Sequence, residues 1–496
     1  MKNLDEQNAP IAETAKPLRL RQMIYLGKGA SFIRKTIHAI ISVALRLFFR
    51  RIEAVNVEDV PETGAIIFVL NHPNGLVDPA LVFVSLPRRV SFLAKSTLYD
   101  NPIGAFLLRT FEILPLYRRI DADAKTTSNT VTFENCFELL QRGRCIAIFP
   151  EGISHDQTKL QPIKTGAARI ALGATGRMKD EGRGMNKTEE SYSSLILHPS
   201  SLKILPVGLY YTSKTSFRSE VLIRYGEAFS VEPVELDGGG EPPREAVLEL
   251  TEKIESALRA VTLNLETESE LDAVLKAEAL FSSVYENLIF KQTLDKTFDR
   301  LQNLATKYTL LEKNDPQKMR ELNEKITKYE IALESGGITT ESLSVLQHPA
   351  WYVFRYLILR ILILAILAPL AIVGAIIHSP AYLFSNLAGQ VFKTHDVDAA
   401  GSSSKIIAAI GLMPLTWLII ALSILYFFNW QIALLSIPVT ILCGYVALRS
   451  SETLVDLSVW LKSAWLLFRQ RALFLRLLVQ RENLRKEIGE IVESEK

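Results

Sequence analysis

The sequence predicts an α/β domain, then a helical segment, then a membrane-embedded region. Three observations support this prediction. Short apolar runs punctuate residues 53–235, as the buried strands of an α/β sheet do. Residues 241–345 are rich in Leu, Lys, Glu and Ala with few helix breakers, and residues 350–450 contain two long runs without a charged side chain. An N-terminal stretch, residues 1–52, and a basic stretch, residues 451–496, flank these three parts.

The composition excludes several classes of protein. The chain has 496 residues, of which 48% are hydrophobic and 22% charged, so it is neither disordered nor collagen-like. Its 56 Lys and Arg residues are balanced by 54 Asp and Glu residues, which argues against a nucleic-acid partner. Three cysteines without a C-x-x-C spacing indicate neither a disulfide framework nor a zinc site, and we expect no metal.

Four apolar runs predict strands of the α/β domain, at residues 65–70, 145–149, 203–207 and 221–225. Polar motifs follow the first two of these runs directly, which is where open α/β sheets place their sites. Residues 173–194 are rich in Gly, Ser and charge and predict a surface insertion.

Amphipathic helices are predicted outside the sheet. Residues 241–345 are expected to form an antiparallel hairpin or a small bundle with a break at Pro316, and a packing role is favoured over partner binding. Residues 32–51 combine helical apolar spacing with basic residues, so they predict a helix that lies in the membrane interface or packs on the neighbouring domain. Residues 451–496 mix aromatic and basic side chains and predict a helix on the membrane surface.

The two uncharged runs predict an integral membrane protein. Residues 361–392 and 406–448 each exceed the roughly 20 residues that cross a bilayer once. The second run divides near Asn429 into two spans, and Pro369 and Pro380 interrupt the first. Lys and Arg residues on every flank favour two helical hairpins in the membrane, of which the first either spans it or is re-entrant. The α/β domain then faces the cytoplasm. Three spans are the second alternative.

The first polar motif suggests acid–base chemistry. His72 and Asp78 follow one strand, and an imidazole beside a carboxylate can act as a general base. In the alternative interpretation, Asp78 only caps a helix that begins at Pro79. A second motif, EGISHD at residues 151–156, supplies a carboxylate and the Ser154 hydroxyl. It lacks the second glycine of a nucleophile elbow, so a serine hydrolase is disfavoured.

Four motifs occur in order: NHPNGLVDP at residues 71–79, LPLYR at 114–118, FPEG at 149–152 and LPVG at 205–208. This ordered set resembles the membrane glycerolipid acyltransferases, which acylate glycerol-3-phosphate or its lyso derivatives. The resemblance covers residues 58–227 and implies the mixed sheet with flanking helices of that family. The segments EGISHD and LQPIKTG are most similar to its fungal-type glycerol-3-phosphate/dihydroxyacetone-phosphate branch.

The resemblance implies three groups of site residues. His72 matches the catalytic base and Asp78 its partner. Residues implied on the substrate phosphate side are Arg118, Glu151, Gly152, Ser154 and Lys95. Residues implied on the acyl-donor side are Pro206 and Gly208. The family's first motif has four residues between His and Asp, whereas this chain has five, and a bulge at Gly75 could absorb the extra one.

The resemblance therefore implies a membrane enzyme that moves a fatty acyl group from an acyl thioester, acyl-CoA or acyl-carrier protein, to a hydroxyl of glycerol-3-phosphate. No cofactor is expected beyond that co-substrate, and the lipid bilayer is an expected partner. One alternative is an acyltransferase acting on lysophosphatidic acid. Another, of a different class, is a non-enzymatic membrane scaffold on the same fold.

Overall fold

The computed structural model divides into two compact units: Met1–Leu263 with Lys393–Ser403, and Asn264–Phe392 with Ser404–Lys496. The residues that the structure describes are 32–100, 105, 108, 113–116, 128–184, 202–282, 292–338, 350–391 and 399–493.

The first unit is built on a mixed sheet of eight strands in the described part of the chain. The strands are β1 Arg51–Val55, β2 Ile66–Leu70, β3 Val90–Lys95, β4 Leu114–Leu116, β5 Cys145–Ile148, β6 Lys203–Tyr211, β7 Glu220–Tyr225 and β8 Phe229–Ser230. Their order is β1-β7-β6-β2-β5-β3-β4, and β8 also pairs with β6. All neighbours run parallel except β6 with β7 and β6 with β8. The four predicted strands are confirmed as β2, β5, β6 and β7, whereas β1, β3, β4 and β8 were not predicted.

The described part of this unit contains five α-helices: α1 Phe32–Phe48, α2 Val77–Ser85, α3 Ser128–Gln141, α4 Gly166–Gly184 and α5 Arg244–Val261. Helices α3, α4 and α5 contribute apolar side chains to one core with the central strands β2, β5 and β6. The central strand β2 is fully buried, which is why it reads as a continuous apolar run. Helix α5 thus belongs with the sheet and not with the helical segment predicted for residues 241–345.

Helix α4 corrects the prediction of a surface insertion at residues 173–194. The helix runs through to Gly184, and its small residues face the core. A Cβ at Gly173 would lie 2.8 Å from the Phe137 ring, so the glycine permits close helix packing and does not mark a loop. Residues 185–194 lie outside the described residues.

Helix α1 buries several polar side chains and exposes several apolar ones, the reverse of the usual arrangement. Its polar residues Arg34, His38 and Ser42 are buried, whereas the exposed side chains include Phe32 and Ile33. The Arg34 guanidinium and the His38 ring both lie against Phe83 of α2. The outer face of α1 is therefore apolar.

The second unit is entirely helical in its described residues. Its helices are α6 Glu268–Phe281, α7 Leu294–Asn314, α8 Pro316–Ser335, α9 Ala350–Val391, α10 Ala399–Phe427, α11 Trp430–Arg469 and α12 Arg471–Glu493, although the first turn of α10 belongs to the first unit. The predicted break at Pro316 is confirmed: the Asp315 side chain caps α8 by accepting the Lys318 N–H, and Pro316 occupies the first helical turn.

Helices α6, α7, α8 and α12 pack into one bundle. Lys325 of α8 pairs with Glu487 of α12 at 2.7 Å. The buried Arg481 of α12 donates to the Ser282 carbonyl at the end of α6. The prediction of one surface helix over residues 451–496 is corrected, because α11 continues to Arg469 and α12 buries its apolar face in this bundle.

Among the described residues, three helices are long and apolar enough to cross a membrane: Phe354–Val391, Gly401–Phe427 and Trp430–Lys462. The prediction that residues 361–392 form a hairpin is wrong, since Pro369 and Pro380 both lie inside α9. Proline is tolerated within apolar helices where neighbouring helices satisfy the freed backbone groups.

Helices α9 and α11 pack antiparallel. The ring of Tyr356, near the start of α9, stacks on Trp460, near the end of α11, at 4.8 Å. Further along α9, a Cβ at Gly374 would lie 2.0 Å from the Cys443 carbonyl oxygen, so the two backbones touch there. Next to this contact, the His378 ring accepts a hydrogen bond from Trp417 Nε1 of α10 at 3.0 Å.

Candidate active site

The site begins where β2 ends and the chain leaves the sheet. The Asn71 amide donates to the Leu209 carbonyl at 3.0 Å, and its oxygen accepts the Leu209 N–H at 2.8 Å. The side chain thereby extends the pairing of β2 with β6 by one step and fixes the direction of the chain just before His72.

His72 and Asp78 meet as the sequence suggests. His72 Nδ1 lies 2.8 Å from Asp78 Oδ2, and the imidazole stacks on the Phe149 ring at 4.0 Å. Asp78 is completely buried. It also accepts the Asn74 N–H at 2.7 Å and the Tyr211 hydroxyl at 2.5 Å. A carboxylate held by two other donors accepts from Nδ1–H as well, so the imidazole lone pair is at Nε2.

The extra residue between His72 and Asp78 is absorbed by a turn. Gly75 has a φ of 50°, in the left-handed region that glycine adopts without strain. The alternative role of Asp78 as a helix cap is wrong, because Leu76 occupies the N-cap of α2 and Asp78 lies in the first turn. Its carboxylate instead holds the loop that precedes the helix.

Glu151 connects the second motif to the backbone of His72. One carboxylate oxygen accepts the His72 N–H at 3.0 Å. The other accepts the Gln161 N–H at 2.7 Å and lies 2.5 Å from His155 Nε2. The His155 N–H in turn donates to the His72 carbonyl at 3.2 Å. Both backbone groups of His72 are therefore held by residues 151–155.

The groups predicted on the phosphate side are only partly described. Ser154 Oγ accepts the Gly75 N–H at 3.0 Å, and the buried Glu151 carboxylate accepts the His72 N–H. Their contact with a substrate phosphate stays a prediction. Lys95 ends β3 beside Leu116 of β4, but its side chain and Arg118 lie outside the described residues.

Gly152 has a φ of 72°, and a Cβ there would lie 2.4 Å from Lys164 Nζ. The structure thus places an exposed ammonium group over the glycine of the FPEG motif.

Pro206 and Gly208 lie in β6, within the sheet. A Cβ at Gly208 would lie 1.8 Å from the Val261 carbonyl oxygen, and the Pro206 carbonyl accepts the Gly226 N–H. Both residues therefore contact neighbouring parts of the fold. Their role on the acyl-donor side stays a prediction.

Sequence reasoning missed the roles of three side chains of this site. They are Tyr211, which bonds to Asp78, Asn71, which joins β2 to β6, and Lys164, which lies over Gly152. Burial raises the pKa of Tyr211 well above its ordinary value, and the neighbouring Asp78 carboxylate raises it further. The phenol is therefore a permanent donor to Asp78. Tyr211 lies five residues beyond Pro206, and no pattern in the sequence identifies it. Lys164, in contrast, lies in the LQPIKTG segment that the sequence analysis singled out.

Two family models match the chain: the acyltransferase family over residues 51–207, and the glycerol-3-phosphate acyltransferase 2 C-terminal domain over residues 280–495. The two matched segments are therefore similar to acyltransferases, as the four ordered motifs imply. The first match ends within β6 and includes His72, Asp78 and Glu151, and the second includes all three apolar helices.

Three curated relatives align with half of the chain or more. It is 24% identical to an uncharacterized acyltransferase of Schizosaccharomyces pombe, over 86% of this chain and 75% of that protein. It is 25% identical to glycerol-3-phosphate O-acyltransferase 1 of Saccharomyces cerevisiae over 81% of this chain and 63% of that one. It is 29% identical to glycerol-3-phosphate O-acyltransferase 2 of the same yeast, over 52% of this chain and 32% of that protein. The chain thus spans less than two thirds of both S. cerevisiae proteins.

Among solved structures, the 1-acyl-sn-glycerophosphate acyltransferase PlsC of Thermotoga maritima aligns with 51% of this chain and 86% of its own, with a TM-score of 0.31 and 18% identity.

Proposed function

We propose that the protein transfers a fatty acyl group from an acyl thioester to a hydroxyl of glycerol-3-phosphate. The observation that carries the proposal is the hydrogen bonding and exposure of the His72 imidazole. Asp78 binds its Nδ1, while Nε2 makes no hydrogen bond among the described residues and the side chain is 18% exposed. An oriented imidazole with one accessible lone pair is the arrangement that a general base requires.

The reaction follows from this geometry. The acceptor hydroxyl gives its proton to His72 Nε2 as its oxygen attacks the thioester carbonyl carbon. The new C–O bond forms, the C–S bond breaks, and the thiolate leaves and takes up the proton from the imidazolium. Asp78 stabilises the imidazolium while the charge exists. No acyl-enzyme and no metal or prosthetic group is needed for this sequence.

Cationic side chains would hold the phosphate of the acceptor. Lys164 supports this role, because its ammonium group lies over Gly152 in the motif that also carries Glu151. Arg118 follows β4, the strand whose end pairs with Lys95, and its guanidinium suits a bidentate phosphate contact. We assign these three residues to the acceptor phosphate.

Membrane attachment suits a reaction whose acyl chain and product partition into lipid. The three apolar helices supply the anchor. We propose that the exposed apolar side chains of α1 contact lipid, since burying Phe32 and Ile33 there removes them from water. We also propose that the catalytic domain faces the cytoplasm, as the basic flanks of the apolar runs favour.

The test is release of free thiol by the purified protein in detergent, from an acyl-CoA with glycerol-3-phosphate present or omitted. We expect acceptor-dependent release in the wild type. His72→Ala should lower kcat by about 10²–10⁴-fold, the usual contribution of a general base, with little change in KM. Substituting lysophosphatidic acid for glycerol-3-phosphate separates the two acceptors. Wild-type activity in His72→Ala would refute the assignment, and no thiol release with any acceptor would indicate a scaffold.

A further inference from the structure

Two adjacent hydroxyls at the start of α10 bond to the active-site loop. Ser403 Oγ accepts the Leu76 N–H at 3.2 Å. Ser402 Oγ donates to the Lys214 carbonyl at 2.5 Å. Both serines are buried, and both belong to the first unit although the helix continues into the second.

The loop between His72 and Asp78 is held almost entirely by side chains. The consecutive backbone N–H groups of Asn74, Gly75 and Leu76 donate to Asp78, Ser154 and Ser403 respectively. The loop is one residue longer than the family's pattern and contains a glycine, so it has little rigidity of its own. Its shape therefore depends on these acceptors.

Lys214 ties Ser402 to the same loop. Its carbonyl accepts from Ser402 Oγ and also from Asn74 Nδ2, at 3.2 Å. Its ammonium group pairs with Asp156 of the second motif at 3.2 Å, which fixes the position of the residue. The serine thus reaches Asn74 through one shared acceptor.

Other serines in the apolar helices behave differently. Ser379, Ser423 and Ser436 each donate to a carbonyl three or four residues earlier in their own helix. Ser402 and Ser403 instead bond to residues 188 and 327 positions away in the sequence. A hydroxyl that only needed a local partner would not require these distant ones.

We propose that Ser402 and Ser403 are positioning residues for the catalytic base. They hold the 74–76 loop in the shape in which Asp78 meets His72, so the alignment of the base depends on the first turn of an apolar helix. The inference rests on the proposed function, because it assigns the serines a role in that reaction. Misplacement of a catalytic group by about 1 Å can cost roughly 10²-fold in rate. The serines act through the loop backbone, so the loss should fall on kcat.

The experiment compares the double variant Ser402→Ala/Ser403→Ala with Ser402→Thr/Ser403→Thr, which keeps both hydroxyls. Ser423→Ala is the matched control from the same helix. For each purified full-length protein, kcat and both KM values are measured by thiol release, with the melting temperature in detergent. Hydrogen–deuterium exchange is followed in the peptide covering residues 71–79.

We expect kcat to fall about 10–100-fold in the double alanine variant, with both KM values within about twofold of the wild type. The 71–79 peptide should exchange faster, while the threonine variant and Ser423→Ala should resemble the wild type. Unchanged exchange, or kcat within twofold of the wild type, would overturn the inference, as would a loss that appears in KM. If the wild type itself releases no thiol, the proposed function fails, and the exchange data alone decide whether the serines hold the loop.

Discussion

At the residue scale, Asp78 receives three hydrogen bonds at once, and only one comes from the imidazole that it orients. The Tyr211 hydroxyl and the Asn74 N–H determine where the carboxylate sits, and the carboxylate determines the tautomer of His72. Orientation of the base is therefore a property of a small network.

Comparing two buried tyrosines tests this network. Tyr211 and Tyr225 are both buried and each makes a hydroxyl hydrogen bond, but Tyr225 bonds to Ser85 and not to Asp78. A hydrogen bond to a charged group contributes about 1.5–3 kcal/mol. We expect Tyr211→Phe to lower kcat roughly tenfold and Tyr225→Phe to leave it unchanged, although both lower the melting temperature. Equal kcat values in the two variants would contradict the network.

The same tyrosine yields a pH prediction. Because burial raises the pKa of Tyr211 above its ordinary value of 10.0, its hydrogen bond contributes stability fully below pH 10 and loses it only as the pH rises through the folded-state pKa. The melting-temperature difference between the wild type and Tyr211→Phe should therefore stay constant from pH 7 to 9.5. A difference that shrinks within that range would show that the phenol ionises earlier.

Sequence reasoning predicted His72 and Glu151 because each lies just after a buried strand, and Asp78 because it follows His72 in the same motif. It could not predict that Glu151 receives the His72 N–H, since backbone partners leave no mark on residue type. Tyr211 and Ser403 were missed because a lone hydroxyl carries no periodicity, and Ser403 also lies far from the motifs in sequence.

At the scale of elements, the contact between α9 and α11 depends on glycine. The backbones touch at Gly374, where no Cβ can be accommodated. Gly411 of α10 is the matched control, because a Cβ there meets nothing within 4 Å. We expect Gly374→Val to destabilise the protein by the upper part of the about 1–3 kcal/mol typical of overpacking, and Gly411→Val to do so much less. Thermal unfolding in detergent measures both, and equal shifts would exclude the contact.

The apolar helices also show what a hydropathy pattern can predict. Uncharged length located α9, α10 and α11 correctly, because it reports the cost of placing side chains in lipid. It could not distinguish a proline that breaks a helix from Pro369 and Pro380, which α9 accommodates. That difference depends on neighbouring helices that the pattern does not describe.

At the scale of the second unit as a whole, the helices before and after the three described apolar helices contact each other. Helices α6–α8 precede the apolar region and α12 follows it, yet they form one bundle. The antiparallel pairing of α9 with α11 agrees with this bundle, because it places the start of α9 and the end of α11 at the same end of the helix pair. We infer an even number of crossings, because the segments before and after the apolar helices lie in one bundle.

Impermeant labelling tests this topology. Single cysteines are placed at the exposed positions Gln317 of α8 and Glu490 of α12, in a variant whose three native cysteines are alanine. In sealed vesicles with the cytoplasmic face outward, we expect an impermeant maleimide to label both, because the basic flanks favour that side. Detergent-opened vesicles supply the full-labelling control. Labelling of one position alone would require an odd number of crossings.

The bundle also sets an order of events during synthesis. Arg481 of α12 meets Ser282 across 199 residues, so α6 leaves the ribosome long before its partner exists. At roughly 5–20 residues per second, this delay is about 10–40 s. All three apolar helices must enter the bilayer within it, while the apolar faces of α6–α8 await α12. A chaperone that shields exposed apolar surface would have its longest engagement with this protein during that interval.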